Sequence, residues 1–362
     1  MDPSHDAGPP PTPSPLAPGP AELAAAIARL GRASVLVVGD AMLDRYVYGS
    51  VSRISPEAPV PVLIVQREQS LPGGAANVVR NLAAIGVGVA FVSVVGDDDA
   101  GSDLTGLIGG QPGVEPWLLV QGSRITTMKT RFVAQLRPLQ GHQLMRADRE
   151  DPRPVHPKLV ERMLRIAIDA MAATSVVVLS DYRKGVLGEG VPGRLIEAAH
   201  AAGRRVVADV HGPDHGRYAG ADLVVIAARD LIDDHGLPVE GGAALAAIVA
   251  ELRQRHRFGA VLAMRAEEGI TLVDGEGAVH FPAEASEVFD IAGTNDTAVA
   301  VLGAALAAGI DIRMACCLAN LAAGLVVGRI GTAVVRQADL LAAIGLAAAP
   351  AAADLEAAPA AQ

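Results

Sequence analysis

The chain has 362 residues, with 30 Lys and Arg against 40 Asp and Glu, which gives a formal net charge of −10. This length suits one large α/β domain or two small ones. No basic block stands out, so nucleic acid is not an expected partner. The two cysteines, Cys316 and Cys317, are neighbours in an apolar helical pattern. This excludes a disulfide framework and favours a reducing, cytoplasmic location.

The two ends of the chain differ in composition from the middle. Residues 1–20 are rich in proline and lack the basic and apolar regions of a signal peptide, so we expect a disordered tail. Residues 347–362 are biased toward alanine and proline and predict a second loose tail. The apolar runs at 297–310 and 314–327 are each shorter than the ~20 residues that a membrane span needs. We expect buried helices there and no membrane partner.

Between the tails, the pattern over residues 21–346 alternates helices with apolar strands. The predicted elements of the first part are helices at 21–30, 75–85 and 103–109 and strands at 34–40, 46–52, 59–67, 89–95, 125–133 and 142–147. The second part has helices at 159–173, 193–202 and 243–256 and strands at 175–180, 205–209, 222–226 and 260–264. Such βαβ alternation predicts a mostly parallel sheet with helices on both faces. The exposed strands within about 45–67 and 125–147 would form a small β lid beside it.

Two glycine-rich segments precede helical patterns, PGGAAN at 72–77 and DIAGTND at 290–296. The free backbone N–H groups at a helix start suit an anion or a close-fitting polar ligand. The second segment ends in Asp296, whose carboxylate could take a proton from a substrate hydroxyl while the N–H groups hold a phosphoryl group. This combination predicts a phosphotransferase. On spacing alone, Asp296 could equally be a first-turn carboxylate that stabilises the helix dipole, and Gly73-Gly74 an ordinary turn.

Polar side chains follow the predicted strands, where ligands bind in open α/β sheets. The residues at these strand ends are Asp40, Asp44, Asp181, Lys184, Asp209, His211 and Asp230. Carboxylates suit sugar hydroxyls, whereas Lys129, Arg131 and Lys184 suit a phosphate. Without further information, Asp40 and Asp209 could also be helix caps or loop residues.

Several motifs in order resemble the D-glycero-β-D-manno-heptose-7-phosphate kinases, which are ribokinase-like (PfkB-type) sugar kinases. The motifs are VLVVGDAMLDRYVYGSVSRISPEAPVPV at 35–62, PGGAAN at 72–77, TTMKTRF at 126–132, HQLMRADRED at 142–151, LSDYRKGVL at 179–187 and AAGLVVGRIGT at 322–332. The resemblance runs from about residue 32 to 346, and SRISPEAP is specific to the heptose kinase branch. It implies a ribokinase-like α/β fold with a β lid, ATP and Mg²⁺, and phosphorylation of the heptose phosphate at its anomeric hydroxyl.

The resemblance also implies roles for individual residues. Asp296 matches the catalytic base, and the turn Gly293, Thr294, Asn295 matches the anion hole for the transferred phosphoryl group. The sugar phosphate is expected to contact Asp40, Asp44, Arg45, Gly73, Gly74, Asn77, Lys129, Arg131, Asp181 and Lys184. The lid strands commonly pair with a second subunit, so a homodimer is expected. In some bacteria a cytidylyl-type transferase domain follows the kinase, and the length of this chain predicts the kinase alone.

The departures from the family pattern lie on the nucleotide side, where the expected contacts are Asp209, His211, Ala227, Asp230, Arg265, Gly269 and Asn320. The family's Gly-Ala-Gly-Asp is Gly-Thr-Asn-Asp at 293–296, where we expect Asn295 to tolerate the positive φ of the replaced glycine. The family's Asn-x-x-Glu, which organises Mg²⁺, matches 227–230, so Asp230 is a weak metal candidate. Asp-Pro-Lys-Gly becomes Asp-Val-His-Gly at 209–212, and Met264 replaces a threonine.

The sugar-side motifs match the family and the nucleotide-side motifs depart from it, and three hypotheses follow from this difference. The chain is a working heptose phosphate kinase with altered nucleotide and metal handling, a degenerate kinase that binds or senses sugar phosphates, or a kinase for another sugar or nucleoside. The carboxylate of Asp296 favours the first, because the fold alone gives little reason for it. The intact sugar-side motifs argue against the third.

Overall fold

The computed structural model describes residues 18–137, 140–235, 242–283, 293–328 and 333–346. Strands in these ranges form two sheets. Their bounds in chain order are β1 (Ser34–Gly39), β2 (Ala41–Ile54), β3 (Pro61–Gly74), β4 (Gly88–Gly96), β5 (Val114–Gln121), β6 (Met128–Arg137), β7 (Gln140–Arg149), β8 (Val176–Asp181), β9 (Arg205–Val210), β10 (Leu223–Ala227), β11 (Ala260–Met264), β12 (Ile270–Val273) and β13 (Ala278–Phe281).

Helices of the described ranges connect these strands. Their bounds are α1 (Pro20–Leu30), α2 (Ala75–Ile85), α3 (Asp99–Gly109), α4 (Pro157–Ala170), α5 (Val191–Ala201), α6 (Ala228–His235), α7 (Gly242–His256), α8 (Thr294–Ala307), α9 (Ile312–Val327) and α10 (Gln337–Ala343). None of them is long and apolar enough to cross a membrane.

The larger sheet has nine strands in the order β13-β12-β11-β10-β9-β8-β1-β4-β5. All neighbours from β5 to β11 are parallel, and β12 and β13 continue the sheet as antiparallel strands. Strand β1 lies where the order reverses, since the chain adds β4 and β5 on one side and β8 onward on the other. Ligands of open α/β sheets bind beside the carboxyl ends of the strands at such a reversal. The loops after β1 and β8 therefore mark the expected site.

The apolar core forms two layers, one on each face of the larger sheet. Val35 and Val37 of β1 face the layer that holds α1, α2, α8 and α9. Leu36 and Val38 face the opposite layer, which holds α4, α5 and α7. Successive side chains of a strand point to opposite faces, so a strand covered on both sides must be apolar at every position. This confirms the predicted α/β fold with helices on both faces.

The smaller sheet has the order β3-β2-β6-β7 and forms the predicted lid. Strand β2 pairs with β3 antiparallel and with β6 in parallel, and β7 is antiparallel to β6. The expectation of an exposed strand at 46–52 is wrong for its first part. Tyr46 and Tyr48 are buried and pack against Val133 and Leu71. Alternation alone could not reveal this, because the covering residues come from the neighbouring strands β3 and β6.

Most predicted helices and strands are confirmed to within a few residues, and the missed elements are short or lie at edges. The missed strands are β5, β12 and β13, and the missed helices are α6 and α10. β12 and β13 have four residues each, too few to establish a period. Residues 1–17 and 347–362, where the tails were expected, lie outside the described residues, as do 290–292 of the second glycine-rich segment. The tails and domain bounds stay predictions.

The guanidinium of Arg124 joins the lid to the carboxyl edge of the larger sheet. It is buried and donates hydrogen bonds to the carbonyl oxygens of Asp151 (3.1 Å), Arg153 (2.9 Å) and Lys184. Asp151 and Arg153 follow strand β7 of the lid, and Lys184 lies in the loop after β8. Gly185 is also required in this contact, because its φ is 95° and a Cβ atom would lie 2.4 Å from the Arg153 carbonyl oxygen.

We expect Arg124→Met to lower the free energy of unfolding by about 2–4 kcal/mol, because it leaves three carbonyl oxygens without their donor. Denaturant titration measures this loss. Arg194→Met is the matched control, since Arg194 pairs with Glu161 at the exposed surface and such pairs contribute little. Equal effects of the two substitutions would contradict the role given to Arg124.

Candidate active site

Asp296 lies in the first turn of α8 and is buried, with 4% of its surface exposed. The side-chain amide of Asn77 donates to its Oδ2 atom at 2.7 Å, and the Tyr182 hydroxyl donates to its Oδ1 atom. Burial raises the pKa of Asp296 to about 7; the two hydrogen bonds oppose this, and the nearby Asp209 and Asp44 carboxylates reinforce it. A carboxyl with this pKa can accept a proton near neutral pH.

A buried polar chain fixes this carboxylate between α2 and α8. The Thr297 hydroxyl donates to Asn81 Oδ1 at 3.1 Å, and Asn81 Nδ2 donates to the Asn77 carbonyl oxygen at 3.0 Å. Asn77 was predicted to contact the sugar, but it is fully buried and its amide is directed at Asp296. Its geometry is that of a residue that positions the Asp296 carboxylate.

The start of α8 has the features of an anion site. Gly293 adopts the left-handed conformation, with φ 78°, and precedes the first helical residue, Thr294. The Thr294 hydroxyl oxygen is buried and has no hydrogen-bond partner among the residues that the structure describes. The expectation that Asn295 takes a positive φ is wrong, because it lies within the helix and Gly293 alone supplies the left-handed turn. A helix start of this kind directs its first N–H groups outward along the helix axis, which is the geometry of an anion site.

Asp40 and Asp181 hold the loop after β8. Asp40 accepts hydrogen bonds from the backbone N–H groups of Tyr182 (2.9 Å), Lys184 (2.9 Å) and Val186 (3.0 Å). Burial and the nearby Asp181 raise the pKa of Asp40 to about 6, and the three hydrogen bonds oppose them.

Asp181 in turn accepts from the Arg183 N–H at 2.7 Å, and also from Arg217 and the Tyr218 hydroxyl. Both carboxylates were predicted to contact substrate. Their acceptor oxygens already serve the loop, so the structure gives them a positioning geometry.

The lid presents a second carboxylate, Asp44, which is mostly buried. Its Oδ1 atom accepts from Arg131 Nη1 at 2.7 Å. Its Oδ2 atom lies beside Gly73, where a Cβ atom would come within 2.5 Å of it. Gly74 follows with a φ of 57° and caps α2. The glycine pair thus ends strand β3 and lets the backbone approach Asp44, so the structure brings Asp44, Arg131, Gly73 and Gly74 together.

Two lysines were predicted to meet a phosphate, and they lie close enough for their charges to interact. Lys129 Nζ lies 5.5 Å from the centre of the Tyr182 ring, and burial lowers the pKa of Lys129 while Asp44 opposes this shift. Lys184 Nζ pairs with Glu150 at 2.7 Å. Arg45 is not part of this group, because it is directed toward Asp103 on α3 at 3.4 Å and is partly exposed.

On the nucleotide side, His211 lies between two carboxylates. Its Nε2 atom is 3.8 Å from Asp209 Oδ2, and its Nδ1 atom is 3.8 Å from Asp230 Oδ2. Burial alone lowers the pKa of His211, but the two carboxylates outweigh burial and raise it to about 10. His211⁺ in turn lowers the pKa of Asp230. With this pKa the imidazole carries a proton at neutral pH, so a positive charge lies between the two carboxylates.

Of the remaining predicted nucleotide contacts, Arg265, Gly269 and Asn320 lie near the end of β13, whereas Ala227 lies three strands away on β10. Arg265 pairs with Glu268. A Cβ atom on Gly269 would lie 2.2 Å from the Phe281 carbonyl oxygen, and Asn320 Nδ2 donates to the Pro282 carbonyl oxygen at 2.7 Å. Ala227 ends strand β10 opposite Met264 and offers only a methyl group.

Sequence reasoning missed Tyr182, Asn81 and Thr297. Tyr182 follows Asp181 at the carboxyl end of β8, which was a detectable signal, but only charged residues were weighed at the strand ends. Asn81 lies one helical turn after Asn77 on α2, and Thr297 follows Asp296 on α8. The packing of α2 on α8 brings these two residues together.

A family model described as pfkB family carbohydrate kinase matches residues 32–338. The chain belongs to this family. Its sheet, its β lid and the acid at the N-terminus of α8 are the parts from which the site described above is built.

Two bacterial relatives are particularly similar. The bifunctional protein HldE of Acidiphilium cryptum is 55% identical over 323 residues, which cover 89% of this chain and 65% of the relative. The bifunctional protein HldE of Paramagnetospirillum magneticum is 47% identical over 327 residues, which cover 89% of this chain and 66% of the relative. The chain therefore spans slightly less than two thirds of the length of these relatives.

Solved structures support the fold. Phosphofructokinase-2 from Escherichia coli in complex with potassium has a TM-score of 0.69 at 16% identity, with 86% of this chain and 98% of that chain covered. Arabidopsis thaliana ribokinase complexed with ribose and ATP has a TM-score of 0.67 at 19% identity, with the same coverage. The tetrameric inhibited form of the E. coli enzyme has a TM-score of 0.66 at 16% identity, covering 82% and 94%.

We expect Asp40→Ala to destabilise the protein by about 3 kcal/mol or more, because it leaves three backbone N–H groups without an acceptor. Thermal unfolding and denaturant titration measure the loss. Asp214→Ala is the control, since no side-chain hydrogen bond caps the short helix it precedes. An Asp40→Ala protein as stable as the control would contradict the loop-holding geometry.

Proposed function

We propose that this chain transfers the γ-phosphoryl group of ATP to the anomeric hydroxyl of D-glycero-β-D-manno-heptose 7-phosphate. The product would be the 1,7-bisphosphate that leads to ADP-heptose-type sugars. The observation that carries the proposal is the buried Asp296 carboxylate, with a pKa of about 7, in the first turn of α8. Family membership supports a sugar kinase, and the heptose-type motifs at 35–62 and 179–187 support the substrate.

In the proposed reaction, the Asp296 carboxylate takes the proton of the sugar hydroxyl as its oxygen attacks the γ-phosphorus atom. The new O–P bond forms as the bond from the γ-phosphorus to the β,γ-bridging oxygen breaks, and ADP leaves with that electron pair. The N–H groups at the start of α8 stabilise the charge on the transferred group. Asn77 and Tyr182 hold the base, so catalysis is mostly positioning and electrostatic stabilisation.

Mg²⁺ fits this site only as a companion of the nucleotide. Among the described residues, no group of three or more His, Cys, Asp or Glu side chains could hold a metal ion. Asp230 is already close to two cations, with His211 at 3.8 Å and Arg229 at 3.6 Å. We therefore propose that Mg²⁺ would arrive with the nucleotide, that Asp230 would be the protein carboxylate available to it, and that it would neutralise phosphate charge.

The phosphate of the sugar is assigned to the lid. Lys129 is partly buried above Tyr182 and lies close to Arg146 and Lys184, both of which lower its pKa through their positive charges. Three cations near one opening suit a dianion. Asp44 and the Gly73-Gly74 backbone would then contact sugar hydroxyls between this phosphate and Asp296.

The alternative of a degenerate kinase rests on the altered nucleotide side. The position of His211 argues against it, because the imidazolium keeps a positive charge between Asp209 and Asp230 where the family has lysine. Gly293 likewise keeps the left-handed turn before α8 despite Thr294 and Asn295. We therefore favour a working kinase whose nucleotide side has been rebuilt.

We further propose that a second copy of the chain binds the outer part of the lid. Exposed apolar side chains concentrate there, with fractional exposures of 62% for Ile54, 50% for Val60, 48% for Ile64, 50% for Val65 and 56% for Met145. Such a cluster is a common mark of a protein interface. The sugar-phosphate substrate, ATP use and the two cysteines, Cys316 and Cys317, neither of which is in a disulfide, support a cytoplasmic location.

Lys129→Met should reduce the preference for the phosphorylated sugar. We expect kcat/KM for heptose 7-phosphate to fall about 10- to 100-fold, since a charge-assisted contact of about 1.5–3 kcal/mol is lost, while kcat/KM for the unphosphorylated heptose stays nearly constant. A coupled assay of ADP release with both sugars and Mg·ATP measures the ratio. Lys158→Met, at an exposed position of α4, is the control. No transfer to any sugar by the wild type, with heptose phosphate still bound, would instead support the binding-protein alternative.

Ile64→Glu combined with Met145→Glu should convert a dimer into a monomer, because two charges in an apolar interface cannot be desolvated cheaply. Light scattering after size-exclusion chromatography measures the mass. Ile168→Glu on α4 is the control, since Ile168 is similarly exposed but lies away from the lid. A wild-type monomer, or a dimer that survives the double substitution, would refute the lid interface.

A further inference from the structure

Tyr182 lies where four parts of the molecule meet. Its backbone N–H donates to Asp40 Oδ2 at 2.9 Å, which ties it to the end of β1. Its ring centre is 4.3 Å from that of His211 on the nucleotide side and 5.5 Å from Lys129 Nζ on the lid. A Cβ atom on Gly74 would lie 3.3 Å from its Cδ2 atom. The ring is therefore held by the sheet, the lid, the start of α2 and the nucleotide side together.

The hydroxyl of this fixed ring reaches the base. Burial, followed by the charges of Asp296 and Asp209, raises the pKa of Tyr182 well above its usual value of 10. The hydroxyl therefore keeps its proton and donates it in a hydrogen bond to Asp296 Oδ1. The side-chain amide of Asn77 donates a hydrogen bond to the other carboxylate oxygen, Oδ2. A carboxylate with one donor on each oxygen has both its plane and its direction fixed.

We propose that Tyr182 is a positioning residue for phosphoryl transfer, whose hydroxyl fixes the Asp296 carboxylate at the N-terminus of α8. The inference rests on the proposed function in that it takes Asp296 as the base. The inference adds a structural connection to the proposed function, because the ring that carries the hydroxyl also contacts Lys129 on the lid and His211 on the nucleotide side.

The test is the pH profile of Tyr182→Phe, which keeps the ring and removes the hydroxyl. The hydrogen bond favours the ionised form of Asp296, so its loss raises the pKa of that carboxyl. We expect the acid limb of kcat to move upward by about one pH unit or more, with turnover recovering at pH values above the limb. Tyr218→Phe is the matched control, because its hydroxyl also donates to a buried carboxylate, that of Asp181, but does not contact Asp296. Equal loss of turnover at every pH, with the limb unmoved, would overturn the inference.

A second measurement does not depend on turnover. The pKa of Asp296 is about 7 in the folded chain and 3.8 ordinarily, so the folded chain binds the extra proton between these values. The free energy of unfolding of the wild type, relative to Asp296→Asn, should fall as the pH rises from about 4 to about 7. With Tyr182→Phe in both proteins, the fall should continue to about pH 8. An identical window in the two backgrounds would overturn the role of Tyr182.

The two proposals fail in different ways. Turnover that survives in Asp296→Asn overturns the base, and with it the catalytic meaning of Tyr182. An inactive Asp296→Asn combined with an unchanged stability window overturns the Tyr182 inference alone.

Discussion

The structure around the site depends on keeping one carboxylate charged while it is buried. A carboxylate without partners in such a place would simply take up a proton, and burial does raise the pKa of Asp296 to about 7. Asn77 and Tyr182 limit that shift, so both must be held in place. The chain of Asn81 and Thr297 fixes the first partner within the helix layer. The Asp40 carboxylate accepts hydrogen bonds from the loop after β8 and thereby fixes the second partner, Tyr182.

The two sides of the proposed site are built differently. On the proposed sugar side, Gly73 and Asp44 are so close that a Cβ atom at position 73 would come within 2.5 Å of the Asp44 carboxylate. On the proposed nucleotide side, His211 lies between the carboxylates of Asp209 and Asp230. Burial lowers the pKa of His211, but the two carboxylates outweigh burial and raise it to about 10. The first side therefore depends on close backbone packing, and the second on a balance of charges.

Much of this could be predicted from the sequence, because apolar strands, glycine turns and an acid before a buried helix are local signals. The strand at 260–264 and the helix at 75–85 were predicted with the bounds observed. The directions of side chains were not predictable. Asn77 was expected to face the sugar and instead faces Asp296, and Asn295 was expected to carry a positive φ that Gly293 carries instead. Tyr182 stands at a strand end and was overlooked there, and its contacts with Asp40, Gly74, Lys129, His211 and Asp296 join residues that are distant in sequence.

The most direct test of the central claim compares Asp296→Asn with the wild type in two assays of one preparation, phosphoryl transfer from Mg·ATP and calorimetric binding of heptose 7-phosphate. The amide keeps the size of the side chain and the acceptor for Tyr182 but cannot take the sugar proton. We predict that the affinity for the sugar stays within about threefold, while turnover falls by roughly 10²- to 10⁴-fold. Turnover close to that of the wild type would contradict the assignment of Asp296 as the base.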